Sequence, residues 1–305
     1  MITSQPSSTV TTTIHPATRL GHVHYTVANL EGQIAFYRDI LGFQVHWREG
    51  KSAGLGAGKA DLLRLTQLDG ARQVRGTTGL YHTAFLIPTR WDLAHLLKRI
   101  IQTQTTIQGL SNHGTHLAIY LPDAEANGIE LAWDFPKEQW PQTFLEMIQN
   151  NHGFDPYELM RETTKDSRTW EGMNPDSQIG HVHLHVADIE AGDAFYRGVL
   201  GFEIPYMNKD IPAQYARQMR FFSAGGYHHH IGTNIWQGAN APRPPADATG
   251  LRYFTVILPT ADELTRLVTH IQSKNVALET VENGMLVHDP SGNGILLSLE
   301  SADRH

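Results

Sequence analysis

The chain carries 18 histidines and no cysteine in 305 residues. Zero cysteines exclude disulfides, thiolate metal sites, iron–sulfur clusters and a cysteine nucleophile. The histidines are placed where solvation does not explain them. His181, His183 and His185 alternate with Val182, Leu184 and Val186, the period-2 pattern of a half-buried strand. His22 and His24 repeat the pattern earlier, and His82 sits within Leu80–Tyr81–His82–Thr83–Ala84–Phe85. Glu130 lies inside the apolar run Ile129–Glu130–Leu131–Ala132–Trp133. A carboxylate directed inward from such a strand needs a hydrogen-bonded partner or a metal ion. The run His228–His229–His230 completes the set. If it continues a strand, His228 and His230 share one face and His229 takes the other. His15, His152 and His305 fall in tail or linker and carry no expectation.

The elements that position these residues are repeated. Residues 21–43, GHVHYTVANLEGQIAFYRDILGF, align without gaps on residues 180–202, GHVHLHVADIEAGDAFYRGVLGF, with 14 of 23 identical. A weaker repeat relates the segments beginning at Gly79 and Gly250, and each half ends in a similar phrase, ANGIELAWD and GNGILLSLE. Four units follow, near 20–70, 79–136, 178–240 and 250–300. Each opens with an apolar strand, then a helix, then two or three short strands, the pattern βαβββ. Asn29 and Asp188 stand at helix N-cap positions, and Thr89–Asp92 and Thr260–Glu263 read as capping-box variants. Gly201 follows the third unit's helix as a C-terminal cap. The expected organisation is a flexible tail at 1–17, a first module at 18–136, a linker at 137–177 with one helix around 143–149, and a second module at 178–302.

Composition bounds the partners. A hydrophobic fraction of 40% is that of a globular chain, and a net charge of −7 argues against nucleic acid or an anionic membrane as partner. There is no apolar run long enough to cross a bilayer and no secretory leader, so a cytoplasmic location is expected.

The phrases LGHVHYTVANL and AFYRDILGF resemble the opening of the vicinal oxygen chelate superfamily, which includes glyoxalases, fosfomycin-resistance proteins and extradiol dioxygenases. GLYHTAF, the NGIEL ending and YHHHIGTNIW resemble more specifically the bacterial catechol 2,3-dioxygenase branch. The resemblance implies an α+β fold of four βαβββ units in two tandem modules, forming half-open metal-binding barrels. It also implies that ligands come from the first and last strands of the units. Those positions hold His22 in unit one, His82 and Glu130 in unit two, His181 and the 228–230 run in unit three, and Tyr253 and Leu296 in unit four. Two histidines and one carboxylate on one face of a metal leave open positions, the arrangement of non-haem Fe(II) oxygenases. Two triads fit: His82, Glu130 and His181, or His82, Glu130 and His22.

The first triad is favoured because ring cleavage also needs a proton acceptor and donor. By the resemblance, His230 first and His229 second would fill that role, with His113 and Tyr120 before Glu130 hydrogen-bonding the substrate. Only units two and three supply the full set, which implies a barrel built from the central units or across chains of a homo-oligomer. Asn234 and Trp236 are candidates for lining the pocket, and His24 and His183 read as core residues. Asn112 and His116 stand where relatives usually carry acids, and PDAEANG replaces the turn that unit four keeps as DPSGNG. The implied activity is insertion of O₂ into a catechol-type aromatic at Fe(II), alternatively Mn(II). A metal-dependent isomerase or lyase of the glyoxalase type is the second reading. A non-catalytic small-molecule binding protein is the third.

Overall fold

A computed structural model describes residues 13–300. Unit one comprises β1 (Arg19–Val27), α1 (Leu30–Ala35, continued by a π-helical turn over Phe36–Ile40), β2 (Gln44–Glu49), β3 (Ser52–Gly56) and β4 (Asp61–Gln67). Unit two comprises β5 (Gly79–Leu86), α2 (Arg90–Gln102), β6 (Gly109–Asn112), β7 (His116–Pro122) and β8 (Gly128–Asp134). The segment 137–177 carries α3 (Phe144–Asn150) and a further short helix, α4 (Pro156–Met160). Unit three is β9 (Gln178–His185), α5 (Ile189–Gly198), α6 (Ala213–Ala216), β10 (Met219–Phe222) and β11 (Ile231–Asn234). Unit four is β12 (Gly250–Leu258), α7 (Ala261–Ser273), β13 (Leu278–Val281), β14 (Gly284–His288) and β15 (Gly294–Leu299).

The class is α+β, with a βαβββ plan in units one, two and four. Unit three departs from it. Its expected second strand shrinks to a single bridge between Glu203 and Ser223, and the chain from Pro205 to Gln218 makes short helical turns instead. Of the expected tail at 1–17, residues 1–12 lie outside the described residues. Ile14 is buried and its amide donates to the carbonyl of Gly201 at 2.8 Å, so the end of that segment is packed.

All four expected caps form. Asn29, Thr89, Asp188 and Thr260 accept from the amides of Gly32, Asp92, Ala191 and Glu263, satisfying donors at the first turn of α1, α2, α5 and α7. Gly201 takes φ 81°, and its repeat partner Gly42 takes φ 75°.

The strands form two sheets. One has eight strands in the order β13-β14-β15-β12-β1-β4-β3-β2, built from units one and four. The other has seven in the order β10-β11-β9-β5-β8-β7-β6, built from units two and three. Each module therefore sends one unit to each sheet, and a clasp ties the units of a module together. Tyr37, from the AFYR phrase of unit one, donates to Asp123 in the loop before β8. Tyr196, from the AFYR phrase of unit three, donates to Asp289 in the loop before β15. In both loops the aspartate also accepts from the backbone and side-chain amides of the asparagine four residues on, Asn127 or Asn293. PDAEANG and DPSGNG are thus the same clasp despite their different sequences.

Gly128 lets β8 lie against β5. A Cβ there would stand 2.0 Å from the Tyr81 carbonyl oxygen and 3.1 Å from the His82 Cβ. Gly192 in α5 has open space around the corresponding position. Gly128→Ala should therefore cost about 1–3 kcal/mol through overpacking. Gly192→Ala should add up to about 1 kcal/mol through helix propensity. Urea unfolding of the two variants checks both signs.

Candidate metal centre

The site forms where units two and three meet. β5 and β9 pair antiparallel, with His82 opposite His183 and Ala84 opposite His181. On the other side of β5, β8 runs parallel and sets Glu130 beside Ala84. Side chains on one face of such strands converge, so His82, His181 and Glu130 meet. His82 Nε2 is 3.0 Å and His181 Nε2 3.1 Å from Glu130 Oε2, and the two nitrogens are 3.3 Å apart. All three side chains are buried. His22, the alternative ligand, lies in the other sheet, packed on Tyr253 with ring centroids 5.7 Å apart, and does not join them.

The donor set fits a divalent ion. Three ligands on one octahedral face, with bonds of about 2.1 Å, stand about 3.0 Å apart, and a tetrahedral site would spread them to about 3.4 Å. The observed edges lie in that range, nearer the octahedral end for both contacts to Glu130. Glu130 Oε1 is occupied by His116 Nε2 at 2.8 Å, which leaves Oε2 as the single oxygen for an ion. Among the described residues, the possible ion-holding clusters are this triad and two that overlap its surroundings, His113–His116–Glu130 and His116–Asp134–His228.

Charge inside the site is set by burial and by the imidazoles. Burial pushes the Glu130 carboxyl up, but the facing His181 and the bonds from His116, His181 and His82 outweigh it and hold the group well below the usual carboxylate range. Burial lowers His181 to about 4 despite that carboxylate, so the ring is neutral. His116 is held above the ordinary histidine value, because its bond to Glu130 outweighs its burial. His82 Nδ1 is buried without a protein partner. Packing against Tyr81 (4.8 Å) and His183 (5.1 Å) therefore holds that ring.

A cavity of about 510 Å³ opens beside the triad. His113 and Tyr120 line it and share a hydrogen bond of 2.8 Å. Burial and the facing Glu130 carboxylate raise the Tyr120 phenol well above its usual value, so it stays protonated. Burial lowers His113 to about 3. Trp236 and His183 also line the cavity. Asn234 does not line it; its Oδ1 bonds His185 Nδ1 and the Trp236 amide.

The histidine run differs from expectation. β11 starts only at Ile231, and Gly225 and Gly226, both at positive φ, place the run in a tight loop where strand alternation does not apply. His228 and His229 line the cavity, and the His229 ring lies 4.1 Å from that of His181. His230 turns away. Its Nδ1 accepts from the Ala224 amide, and its ring packs on Tyr227 and Phe202. The residue expected first for proton transfer is therefore outside the cavity, and its neighbour is inside it.

Two contacts at the site escaped the sequence reading. His116 bonds Glu130, and Asp134 Oδ1 bonds His228 Nε2 at 3.1 Å. Burial pushes Asp134 up, but His228 outweighs it and keeps the carboxylate ionised. His228 itself is lowered by burial. The available signal was spacing: Asp134 lies four residues beyond Glu130 on β8, on the same face. Met147 and Asn151, in and after α3, also line the cavity, so the segment between the modules forms part of its wall. A larger polar cleft of about 1000 Å³ reaches Tyr253 and Leu296 in the eight-stranded sheet. These residues stand at the repeat positions of His82 and Glu130 and offer no comparable ligand set.

The family model described as Glyoxalase/Bleomycin resistance protein/Dioxygenase superfamily matches residues 19–132 and 178–297. A catechol-2,3-dioxygenase of Bacillus subtilis (strain 168) is 39% identical over 284 residues, covering 92% of this chain and 96% of that protein. Two solved structures share the fold. A putative dioxygenase from Bacillus subtilis superposes with a TM-score of 0.63 at 12% identity, covering 94% of this chain and 86% of that one. Glyoxalase I from Zea mays gives 0.58 at 15% identity, covering 94% of both chains. With two matched segments coinciding with the repeated modules, and a full-length relative at that identity, the chain belongs to the glyoxalase, bleomycin resistance protein and dioxygenase superfamily.

Proposed function

We propose that the protein is an extradiol dioxygenase that inserts O₂ into a catechol-type ring at Fe(II) held by His82, Glu130 and His181. The observation that carries this reading is the buried triangle of three donors with edges of 3.0–3.3 Å. The relative named catechol-2,3-dioxygenase supports the choice of reaction. A glyoxalase-type isomerase would draw a fourth protein ligand from the 228–230 run, and no residue of that run is grouped with His82, Glu130 and His181.

When bound, the ion would supply positions for both substrate oxygens and for O₂, and a path for electrons between them. The protein residues do the rest. One carboxylate against a divalent cation leaves a net +1, suited to a catecholate. His116 holds the second oxygen of Glu130 and so keeps the first directed inward. His229 stands on the cavity wall to take the second hydroxyl proton and return it later. The His113–Tyr120 pair presents a protonated phenol toward the same cavity. Tyr81, Phe221 and Trp236 offer aromatic faces to the substrate ring.

His181→Ala should abolish stoichiometric iron binding, while His22→Ala should keep it. The reverse pattern in metal analysis of the two purified variants would move the site to the first unit. Iron-loaded protein given catechol should consume about one O₂ per ring and form a yellow ring-fission product. His229→Ala should retain iron but lose activity by about 10²–10⁴-fold, the range for a removed acid–base group, whereas His230→Ala should stay within a few-fold of wild type. Oxygen-electrode traces decide this, and tightly bound iron with no O₂ uptake on any catechol would sink the dioxygenase reading.

A further inference from the structure

The His229 ring stands at the end of a buried hydrogen-bond chain that runs back to Tyr227. The Tyr227 hydroxyl donates to Asp134 Oδ2 at 2.9 Å. Asp134 Oδ1 lies 3.1 Å from His228 Nε2, and His228 Nδ1 lies 2.9 Å from His229 Nδ1. An ionised carboxylate only accepts, so His228 Nε2 carries a proton. A neutral imidazole has one N–H, which makes His228 Nδ1 a lone pair. The contact between the two Nδ1 atoms then needs its proton from His229. We infer that Asp134, acting through His228, fixes His229 in the Nδ1–H tautomer, so that a bare Nε2 is left to the metal cavity.

This inference rests on the reading of His229 as the group that accepts the substrate proton. Asp134 acts through its neighbour, so it is a positioning residue. The His229 ring also packs on the rings of His181 (4.1 Å), His228 (4.8 Å) and Phe221 (5.0 Å). Ring packing sets the plane of an imidazole and leaves its tautomer open. The hydrogen-bond chain is what selects it. A wrong tautomer would place an N–H where a proton acceptor is needed, and in a hydrolase triad the analogous carboxylate-to-amide change lowers kcat about 10⁴-fold with geometry intact.

Asp134→Asn makes the decisive change. Tyr227 still donates to the amide oxygen, so the amide nitrogen faces His228 Nε2 and donates to it. His228 then carries its proton on Nδ1 and donates to His229 Nδ1, which forces the His229 proton onto Nε2. The probe is ¹⁵N-histidine protein loaded with diamagnetic Zn(II), with His229 assigned by comparison with His229→Gln. The wild-type spectrum should show His229 protonated at Nδ1, and Asp134→Asn should show it at Nε2. The iron-loaded variant should lose at least about 100-fold in kcat, with KM and metal affinity within about threefold of wild type.

Wild-type His229 protonated at Nε2 overturns the inference even if the variant does not fold. An Asp134→Asn spectrum that retains Nδ1–H overturns it as well. An Nδ1–H wild-type spectrum in a protein that turns over no catechol upholds the tautomer assignment and overturns the reading of His229 as the substrate's base.

Discussion

The antiparallel joint between β5 and β9 is the constraint on which the site depends. It is the seam between unit two and unit three, and no single unit contains the three donors. His82 comes from one side of the seam, His181 from the other, and Glu130 from the strand flanking β5. The register is strict because a one-residue slip of β9 against β5 would turn His181 out of the cavity and away from His82 and Glu130. The two irregularities in the pairing, between Leu80 and His82 and between Ala84 and Phe85, fall beside the site. Irregular pairing next to a site is how a sheet re-aims side chains that an even ladder would spread.

The seam carries a cost that the side chains offset. Glu130 is 1% exposed, and an ionised carboxylate at that depth without partners would lose several kcal/mol of hydration. Three imidazoles face it at 2.8, 3.0 and 3.1 Å. They keep the carboxylate ionised and ready for a cation. Asp134 repeats the arrangement at the end of the same strand, with Tyr227 and His228 as its partners. β8 therefore presents two ionised carboxylates on one face, one directed at the ion site and the other at the side chains that hold His229.

Much of this was legible because it is local or repeated. The caps at Asn29, Thr89, Asp188 and Thr260 depend on three or four consecutive residues, and all form as the sequence implies. The four-unit plan is written in the repeats, and the anomalous Glu130 and His82 stand out against apolar strands. The 228–230 run was misread because alternation holds only inside a strand, and the turn at Gly225–Gly226 keeps the run outside one. The Asp134–His228 and His116–Glu130 contacts were missed for another reason. They join residues 94 and 14 positions apart, and such pairs are fixed by which strands meet and not by any local phrase. The equivalence of PDAEANG and DPSGNG was also hidden, because the clasp depends on an aspartate and an asparagine four residues apart.

The exchange of units between sheets explains how one half of a duplicated fold can lack the ligand set and keep the same structure. Each clasp, Tyr37 on Asp123 and Tyr196 on Asp289, joins a unit of the eight-stranded sheet to a unit of the seven-stranded sheet. The two clasps tie the eight-stranded sheet to the seven-stranded one. At the repeat positions of His82 and Glu130 the eight-stranded sheet carries Tyr253, whose ring packs on that of His22, and the buried Leu296. The glycine two positions before Glu130 persists in the repeat as Gly294, and a Cβ there would meet the Arg252 carbonyl oxygen at 2.3 Å. Strand packing constrains that glycine in both sheets. The carboxylate is constrained only where histidines from the adjoining unit face it. The backbone requirement and the chemical requirement are thus separable, and only the joint of units two and three satisfies both.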